Sequence, residues 1–390
     1  MNFFILRSLQ FQPPFVGTLS LVPTSTTEPL RVENLGPNAG TIAASTPSKF
    51  DVDPDFSLGK VHTWNATLER DLGDNYSARV SYIGSATRDM PATLVLNRAV
   101  PSPDATFSNR QARRPDTSIS NWLRLANASI GNYRALQVTF DRRYKDGLQF
   151  QGSYTYSMAK DIASDTGFAS GDIYYSMLWN ADAAFDGDGN LDPRKSDMYG
   201  LSRYDQRQVL SFNWSYELPW RRRPGVLGAL FSDWQISGTA YYRDGYAINV
   251  TCGIDSGDCN IDGVAQDRPN VIDSSVVGFK FDDQPETTAD TQKQHIPPTA
   301  FDQNVAPGAG SNLGRNVFRT DDFLTIGVSF ARNIFPFREH RLQVRLEVYD
   351  LLNSVYAGAP TLGLGVPANF GRITSVDGNR SMQLGLRYTF

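Results

Sequence analysis

The last eleven residues, 380–390, constrain the fold of this chain more than any other stretch. Apolar side chains occupy every even position from Met382 to Phe390, and Ser, Gln, Gly, Arg and Thr occupy the odd positions. A period of two residues indicates a β-strand with two different faces. A strand of roughly 9–11 residues is also long enough to cross a bilayer. The apolar row therefore faces either lipid or a soluble core.

The same alternation recurs earlier in the chain, and the connections between the alternating segments differ in length. The segments are about 60–70, 76–82, 136–140, 148–156, 210–218, 234–242, 324–330 and 342–348. Connections are short near residues 73, 146 and 337, of middling length near 225, and long in between. Membrane barrels show this asymmetry, with short periplasmic turns and long external loops. The pattern predicts an all-β, transmembrane antiparallel β-barrel with about ten strands in this chain.

Composition agrees with a barrel and excludes some partners. Mean hydropathy is −0.36, and no run approaches the ~18 apolar residues of a membrane-spanning helix. A barrel strand gives half of its side chains to a polar lumen, so a low average hydropathy is expected. Lys and Arg total 37 against 41 Asp and Glu, and this balance argues against nucleic acid as a partner.

The strand at 342–348 decides which face points inward. If its apolar row faced the lumen, Arg345 and Glu347 would face lipid, and an Arg at the bilayer midplane costs ~2–4 kcal/mol. A soluble β-sandwich adhesin remains an alternative, because its antiparallel sheets also have one buried and one solvated face. The domain prediction is a loop-rich segment 1–55, with at most a weak strand around 3–11, followed by a barrel portion at 56–390.

Few residues in the sequence suggest a disulfide, a catalytic site or a metal site. Cys252 and Cys259 are seven residues apart, which favours a disulfide in an oxidising compartment over two free thiols. Three isolated histidines and the absence of known catalytic motifs argue against an enzyme, and no cofactor is expected. In the segment 186–192, residues with side-chain oxygens occur at every second position, as they do at the start of a calcium-binding loop. The alternative is a solvated loop that binds no ion. The candidate calcium ligands are Asp186, Asp188, Asn190 and Asp192.

Short blocks spread over residues 50–390 carry a family resemblance. The blocks are residues 132–143, 152–157, 202–207, 216–219, 234–238, 268–270, 312–316, 341–345, 370–373 and 383–390. In this order they resemble the C-terminal β-barrel portion of Oar-like TonB-dependent receptors, which are outer-membrane proteins of Gram-negative bacteria. Such receptors also have a signal peptide, a plug domain and a TonB-contacting segment, none of which is visible in this sequence.

The resemblance implies the second half of a ~22-stranded barrel in the cell outer membrane. It implies uptake of a small-molecule, carbohydrate or peptide ligand through long loops, with TonB acting through the missing N-terminal part. It also implies that Tyr388 and Phe390 form the signal that the barrel-assembly machinery recognises, and that lipid surrounds the barrel. The alternative is a complete barrel of about ten strands, acting as a passive pore or an outer-membrane enzyme.

Overall fold

The computed structural model describes residues 46, 48–162, 164, 198–219, 232–253, 257–264, 267–282, 290–337 and 340–390. The strands are β1 (Lys49–Val52), β2 (Lys60–Gly73), β3 (Tyr76–Val95), β4 (Trp122–Lys145), β5 (Leu148–Asp161), β6 (Gly200–Leu201), β7 (Gln208–Glu217), β8 (Trp234–Arg243), β9 (Ala247–Ile248), β10 (Asn270–Val271), β11 (Phe301–Asp302), β12 (Phe318–Arg319), β13 (Phe323–Phe337), β14 (His340–Tyr349), β15 (Tyr356–Ala357), β16 (Val376–Asp377) and β17 (Ser381–Thr389). Short 3-10 helices span Gln111–Arg113, Ser274–Val276, Asp290–Gln292 and Pro298–Ala300. None of the helices in these ranges has the length and apolar character needed to cross a bilayer.

The long strands form a single antiparallel sheet in which chain neighbours are also sheet neighbours. Its order is β2–β3–β4–β5–β7–β8–β13–β14–β17, with β6 paired to β5. In addition, β1 pairs with the start of β4 in parallel. The remaining strands form two-stranded sheets within the long connections. This arrangement confirms the predicted all-β antiparallel architecture.

Two differences from the sequence prediction occur at the same end of the sheet. Strands β3 and β4 are 20 and 24 residues long and continue well beyond the predicted segments. In these extensions, other parts of the protein cover both faces of the strands, and Ala92, Ala126 and Ala128 pack together. Because neither face meets lipid or open water, the sequence there does not alternate between apolar and polar residues. Strand β1 lies in a stretch predicted as loop, and Asp51 anchors it by accepting two hydrogen bonds, at 2.8 and 2.9 Å, from Arg124.

Burial within the sheet is the reverse of that in a soluble protein. On β4, Leu136 and Val138 are 47% and 40% exposed, whereas Ala135 and Thr139 on the opposite face are 2% and 8% exposed. The apolar row therefore lies on the open outer face, and the polar row lies on the more enclosed inner face. A soluble sandwich would cover the apolar row, and nothing in the described ranges does so. An apolar outer band and a polar interior are expected of a barrel wall in lipid.

Glycines on the outer face make room for large aromatic rings on the neighbouring strand. Gly84 on β3 pairs directly with Trp64 on β2. A Cβ atom on Gly84 would lie 2.1 Å from the Trp64 ring. The indole therefore lies flat across the backbone of β3, which is possible only because position 84 has no side chain.

We expect Gly84→Ala to displace the Trp64 ring and to destabilise the folded sheet by about 1–3 kcal/mol, the usual range for overpacking. The temperature at which the folded form is lost on unheated gels, together with tryptophan fluorescence, measures both effects. Gly385→Ala is the matched control, because its Cβ would lie 4.0 Å from the nearest atom. Equal behaviour of the two variants would contradict the steric argument.

Candidate functional site

The inner face of the sheet is a continuous polar wall. Hydroxyl and amide side chains on neighbouring strands hydrogen-bond to one another across it. Gln137 Nε2 donates to Ser153 Oγ at 3.2 Å, and Gln235 Nε2 donates to Ser215 Oγ at 2.8 Å. Such cross-strand pairs stabilise the sheet and leave further donors and acceptors directed at the lumen. A hydrated solute can therefore contact this wall without losing all of its hydrogen bonds.

A charged groove of about 540 Å³ lies on this inner face beside the short turns. Its walls include Glu69 and Arg79, joined at 2.9 Å, together with Asp141 and Arg143. Charges of both signs are present, and the Glu69–Arg79 pair is about half exposed. This end of the wall can contact polar groups of either sign.

At the other end, the described parts of the long loops fold into a packed unit. We number them by position: the first long loop is 96–121, the second 162–207, the third 244–322 and the fourth 350–380. A single hydrophobic cluster joins the third and fourth loops, and we call it the loop core. Its members are Val250, Phe281, Ile296, Ala300, Phe301, Leu313, Phe318, Ala357, Leu362, Leu364, Phe370 and Ile373. Fully buried side chains such as Phe281 and Phe370 show that these loops form a core of their own.

Four arginines of the first long loop hold one segment of the third, residues 257–264. We call Arg98, Arg110, Arg113 and Arg114 the arginine clamp. Arg98 forms an ion pair with Asp262, and both side chains are almost completely buried, at 3% and 0% exposure. Arg110 Nη1 donates to Asp258 Oδ2 at 2.6 Å. Buried pairs of this kind link the two loops firmly, because breaking one leaves a buried charge with neither its partner nor water around it.

The other two clamp arginines bind backbone oxygens of the same segment. Arg113 Nη2 donates to the Ile261 carbonyl at 2.6 Å, and Arg114 Nη2 donates to the Gly263 carbonyl at 3.3 Å. Gly263 has a φ of +93°, and a Cβ there would lie 2.3 Å from the Arg114 guanidinium. The turn thus needs glycine both for its backbone angle and for the close approach of the arginine.

Asp267 lies beside the clamped segment and is partly buried. Its carboxyl accepts a hydrogen bond from the Asn260 backbone N–H at 3.2 Å. Burial, together with the nearby charge of Asp262, raises the pKa of Asp267 to about 8. Burial likewise raises the pKa of Asp262, although the Arg98 guanidinium opposes this. Asp267 is therefore mostly protonated at neutral pH.

The raised pKa of Asp267 predicts that the clamped segment loosens as pH increases. In the unfolded chain this carboxyl ionises near its ordinary pKa of 3.8, but in the folded protein it holds its proton up to about pH 8. The folded state thus binds more protons between these values, so stability falls as pH rises through that window. Hydrogen exchange of residues 257–264 at pH 5 and pH 8.5, corrected for intrinsic exchange rates, measures the loss.

Asp267→Asn should make this pH dependence less steep, because an amide cannot ionise, while Asp262, whose pKa is also raised, still titrates. Asp273→Asn is the control, since hydrogen bonds from Ser275 lower the pKa of that exposed carboxyl and its titration falls below the window. A pH slope as steep in Asp267→Asn as in the wild type would rule out Asp267 as a source.

The structure brings together part of what the sequence singled out. Cys252 and Cys259 are joined by a disulfide, which places a covalent link at the start of the clamped segment. The candidate calcium ligands Asp186, Asp188, Asn190 and Asp192 lie outside the described residues, and that site stays a prediction. In the ranges that are described, no group of three or more His, Cys, Asp or Glu is arranged to hold a metal.

The arginine clamp was missed by sequence reasoning. The sequence has Asp258 and Asp262 in or next to the cysteine loop, but no sequence pattern pairs them with arginines about 150 residues away. The spacing Asp258, Asn260, Asp262, Gly263 also matches the first half of a calcium loop. In the structure these carboxylates accept bonds from arginines and from backbone N–H groups, such as Gly263 N to Asp258 Oδ2 at 2.9 Å. The clamp residues Arg110, Arg113 and Arg114, closely spaced in sequence, were the available signal.

An outward apolar row, a polar inner wall and long loops folded at one end together define the wall of a membrane barrel. A family model described as an outer membrane beta barrel domain matches residues 1–383. The chain belongs to this family, and its location is the cell outer membrane. No protein with a curated description matches its sequence.

Solved outer-membrane proteins resemble the chain at low identity. The outer membrane transporter YddB from Escherichia coli has a TM-score of 0.45 and 12% identity, covering 89% of this chain and 34% of its own. The FrpB iron transporter from Neisseria meningitidis has a TM-score of 0.38 and 11% identity, covering 87% and 33%. The ferripyoverdine receptor of Pseudomonas aeruginosa has a TM-score of 0.36 and 10% identity, covering 84% and 26%. The chain therefore spans about a third or less of each.

Proposed function

We propose that the chain forms part of the barrel wall and the ligand-contacting loops of a TonB-dependent receptor. The observation that carries the proposal is the packed loop unit, in which loops distant in sequence share a loop core and an arginine clamp at one end of a polar wall. Loops that are already folded form a contact surface without a large ordering cost on binding.

The polar inner wall supports the same proposal. A solute that leaves the loops would pass along hydroxyl and amide side chains, and then reach the charged groove containing Glu69 and Arg79. The ligand class is an unknown small molecule, carbohydrate or peptide. In the whole receptor, a plug coupled to TonB would control this passage. The chain has no proposed enzymatic role.

Energy-dependent uptake tests the proposal directly. Cells with and without the gene for this chain are given labelled ferric chelates, cobalamin or oligosaccharides. We expect one ligand to accumulate only when the gene is present, and only while TonB and the proton gradient are intact. Uptake that continues after an uncoupler is added would favour the passive pore. No difference for any ligand in the set would count against a receptor for these classes.

The chain terminus provides a second test, since the resemblance implies that Tyr388 and Phe390 form an assembly signal. Phe390 is 89% exposed, and the hydroxyl of Tyr388 lies 2.6 Å from His340 Nδ1. Removing Phe390 alone should therefore leave the sheet nearly as stable while slowing its assembly into the outer membrane. Pulse-chase labelling with unheated gels measures the rate. Normal assembly of the truncated chain would reject the signal.

A further inference from the structure

The outer face of the sheet changes from apolar to basic at one height. Trp64, Tyr82 and Tyr156 form an aromatic row near the end of the apolar band, since Tyr82 and Tyr156 both pair with Leu136, and Trp64 lies one step further. On the side of the long loops, the same face carries cations on four adjacent strands. These are Lys60, Arg88, Arg134 and Lys160. Aromatic rows of this kind mark the lipid–water interface.

Three of these cations surround one pocket of about 560 Å³. Its lining includes Arg88, Arg134 and Lys160 together with Tyr82 and Tyr156. Lys60, in contrast, is paired with Asp89 at 2.9 Å and does not line the pocket.

The Arg88 guanidinium is held in place. It donates to the Thr87 carbonyl at 2.7 Å and to the Gly131 carbonyl at 3.3 Å. Asn132 is fixed beside it, because its Nδ2 donates to the Tyr199 hydroxyl at 2.9 Å. The base of the pocket is therefore built from fixed polar groups.

The three pocket cations are not neutralised by carboxylates in the described part of the chain, where the ion pairs involve other residues. The nearest acids are already used: Asp89 pairs with Lys60 at 2.9 Å, and Asp161 pairs with Arg315 at 2.5 Å. Three positive charges next to an apolar band attract anions on the lipid side. An anionic lipid headgroup supplies them at this depth.

We propose that this pocket binds the phosphate groups of the phosphorylated glycolipid that forms the outer leaflet of the outer membrane. The proposal rests on the proposed function, which places the long loops outside the cell. The acyl chains of the lipid would lie along the apolar row below, including Leu136 and Val138. That continuity with the apolar band favours a membrane lipid over a free phosphate ion. Tyr82 and Tyr156 would contact the sugar–acyl boundary.

The opposite rim offers a matched comparison on the same strand and face. Arg142 is eight positions along β4 from Arg134, so both side chains point outward. Arg142 lies over the Tyr76 ring, 5.3 Å from its centroid, near the short turns. If the long loops face outward, Arg142 meets the inner leaflet and should not affect binding of the outer-leaflet glycolipid.

Binding of bisphosphorylated lipid A to the purified full chain in non-ionic detergent tests the site. The variants are Arg88→Gln/Arg134→Gln/Lys160→Gln, Arg134→Gln alone and Arg142→Gln, and native mass spectrometry measures the bound fraction. Each cation near a membrane surface contributes a several-fold effect, so the triple variant should bind about 100-fold more weakly. Arg142→Gln should bind like the wild type. Dephosphorylated lipid A should bind the wild type as weakly as bisphosphorylated lipid A binds the triple variant.

Other outcomes are equally decisive. Unchanged binding by the triple variant, or equal binding of dephosphorylated lipid A, would overturn the proposal. Inorganic pyrophosphate that competes as well as lipid A would show a free-phosphate site and overturn the choice of a lipid. If the triple variant does not fold, Arg134→Gln decides, since this side chain is exposed and makes no ion pair with the described residues. A wild-type chain absent from outer membranes would instead refute the proposed function.

Discussion

Val138→Arg is expected to prevent stable insertion of the chain into the membrane. Val138 lies near the middle of β4 on the outer face, paired with Val80 and Tyr154, and is 40% exposed. A guanidinium at this depth would face hydrocarbon, at a cost of ~2–4 kcal/mol. That is a large part of the total stability of a typical domain. Fractionation of cells, followed by heat-modifiable gel mobility, measures the amount of inserted protein.

Gln137→Arg is the matched control, since it places the same side chain one residue away on the inner wall. Gln137 donates to Ser153 at 3.2 Å, so the new arginine would replace one polar contact and remain among polar groups. Insertion of this variant should be close to normal. Equal loss in both variants would mean that the face of the strand does not matter, and the lipid-facing assignment would be wrong.

Arg98→Ala should destabilise the loop unit by about 3–5 kcal/mol, because it leaves the carboxylate of Asp262 buried without its partner. Asp262 is completely buried, and Arg98 reaches it from another loop. The expected result is local opening of residues 257–264 while the sheet remains intact. Hydrogen exchange of these residues, compared with that of β4, measures the difference.

Two further variants test whether the loss of stability comes from breaking the buried ion pair or from removing any arginine. Arg79→Ala removes one side of the Glu69–Arg79 pair, which is about half exposed, and such exposed pairs contribute about 0–1 kcal/mol. Arg98→Met combined with Asp262→Leu removes both charges and should be more stable than Arg98→Ala alone. If Arg79→Ala opens residues 257–264 as much as Arg98→Ala does, the buried pair has no special role.

The strands within the membrane could be predicted from sequence because lipid imposes a simple rule on them. The alternation at 136–140 reflects an outer face in hydrocarbon and an inner face on a polar wall, and the structure has Leu136 and Val138 outside and Thr139 inside. The short turns could be predicted from the sequence as well. Asp146 and Gly147 have positive φ values of 53° and 81°, as expected for an Asp-Gly turn between two strands. Local pattern and environment agree in these segments.

The loop unit could not be predicted because its order comes from contacts between distant parts of the chain. Neither Arg98 nor Asp262 lies in a segment with a regular period, and their partnership is visible only after folding. The extensions of β3 and β4 were missed for a related reason. Protein covers both faces there, as at Ala92 and Ala126, so the two faces need not differ in polarity.

The arginine clamp has a consequence for the order in which the protein assembles. Arg98 and Asp262 are 164 residues apart, and Arg110 and Asp258 are 148 apart, with β4, β5, β7 and β8 between them. Contacts over such separations form late, because the intervening chain must first be arranged at the cost of its entropy. The hairpins of the sheet are local and should form earlier. The clamp would then close only on a sheet with correct strand order, so an exposed 257–264 segment would mark chains whose assembly is incomplete.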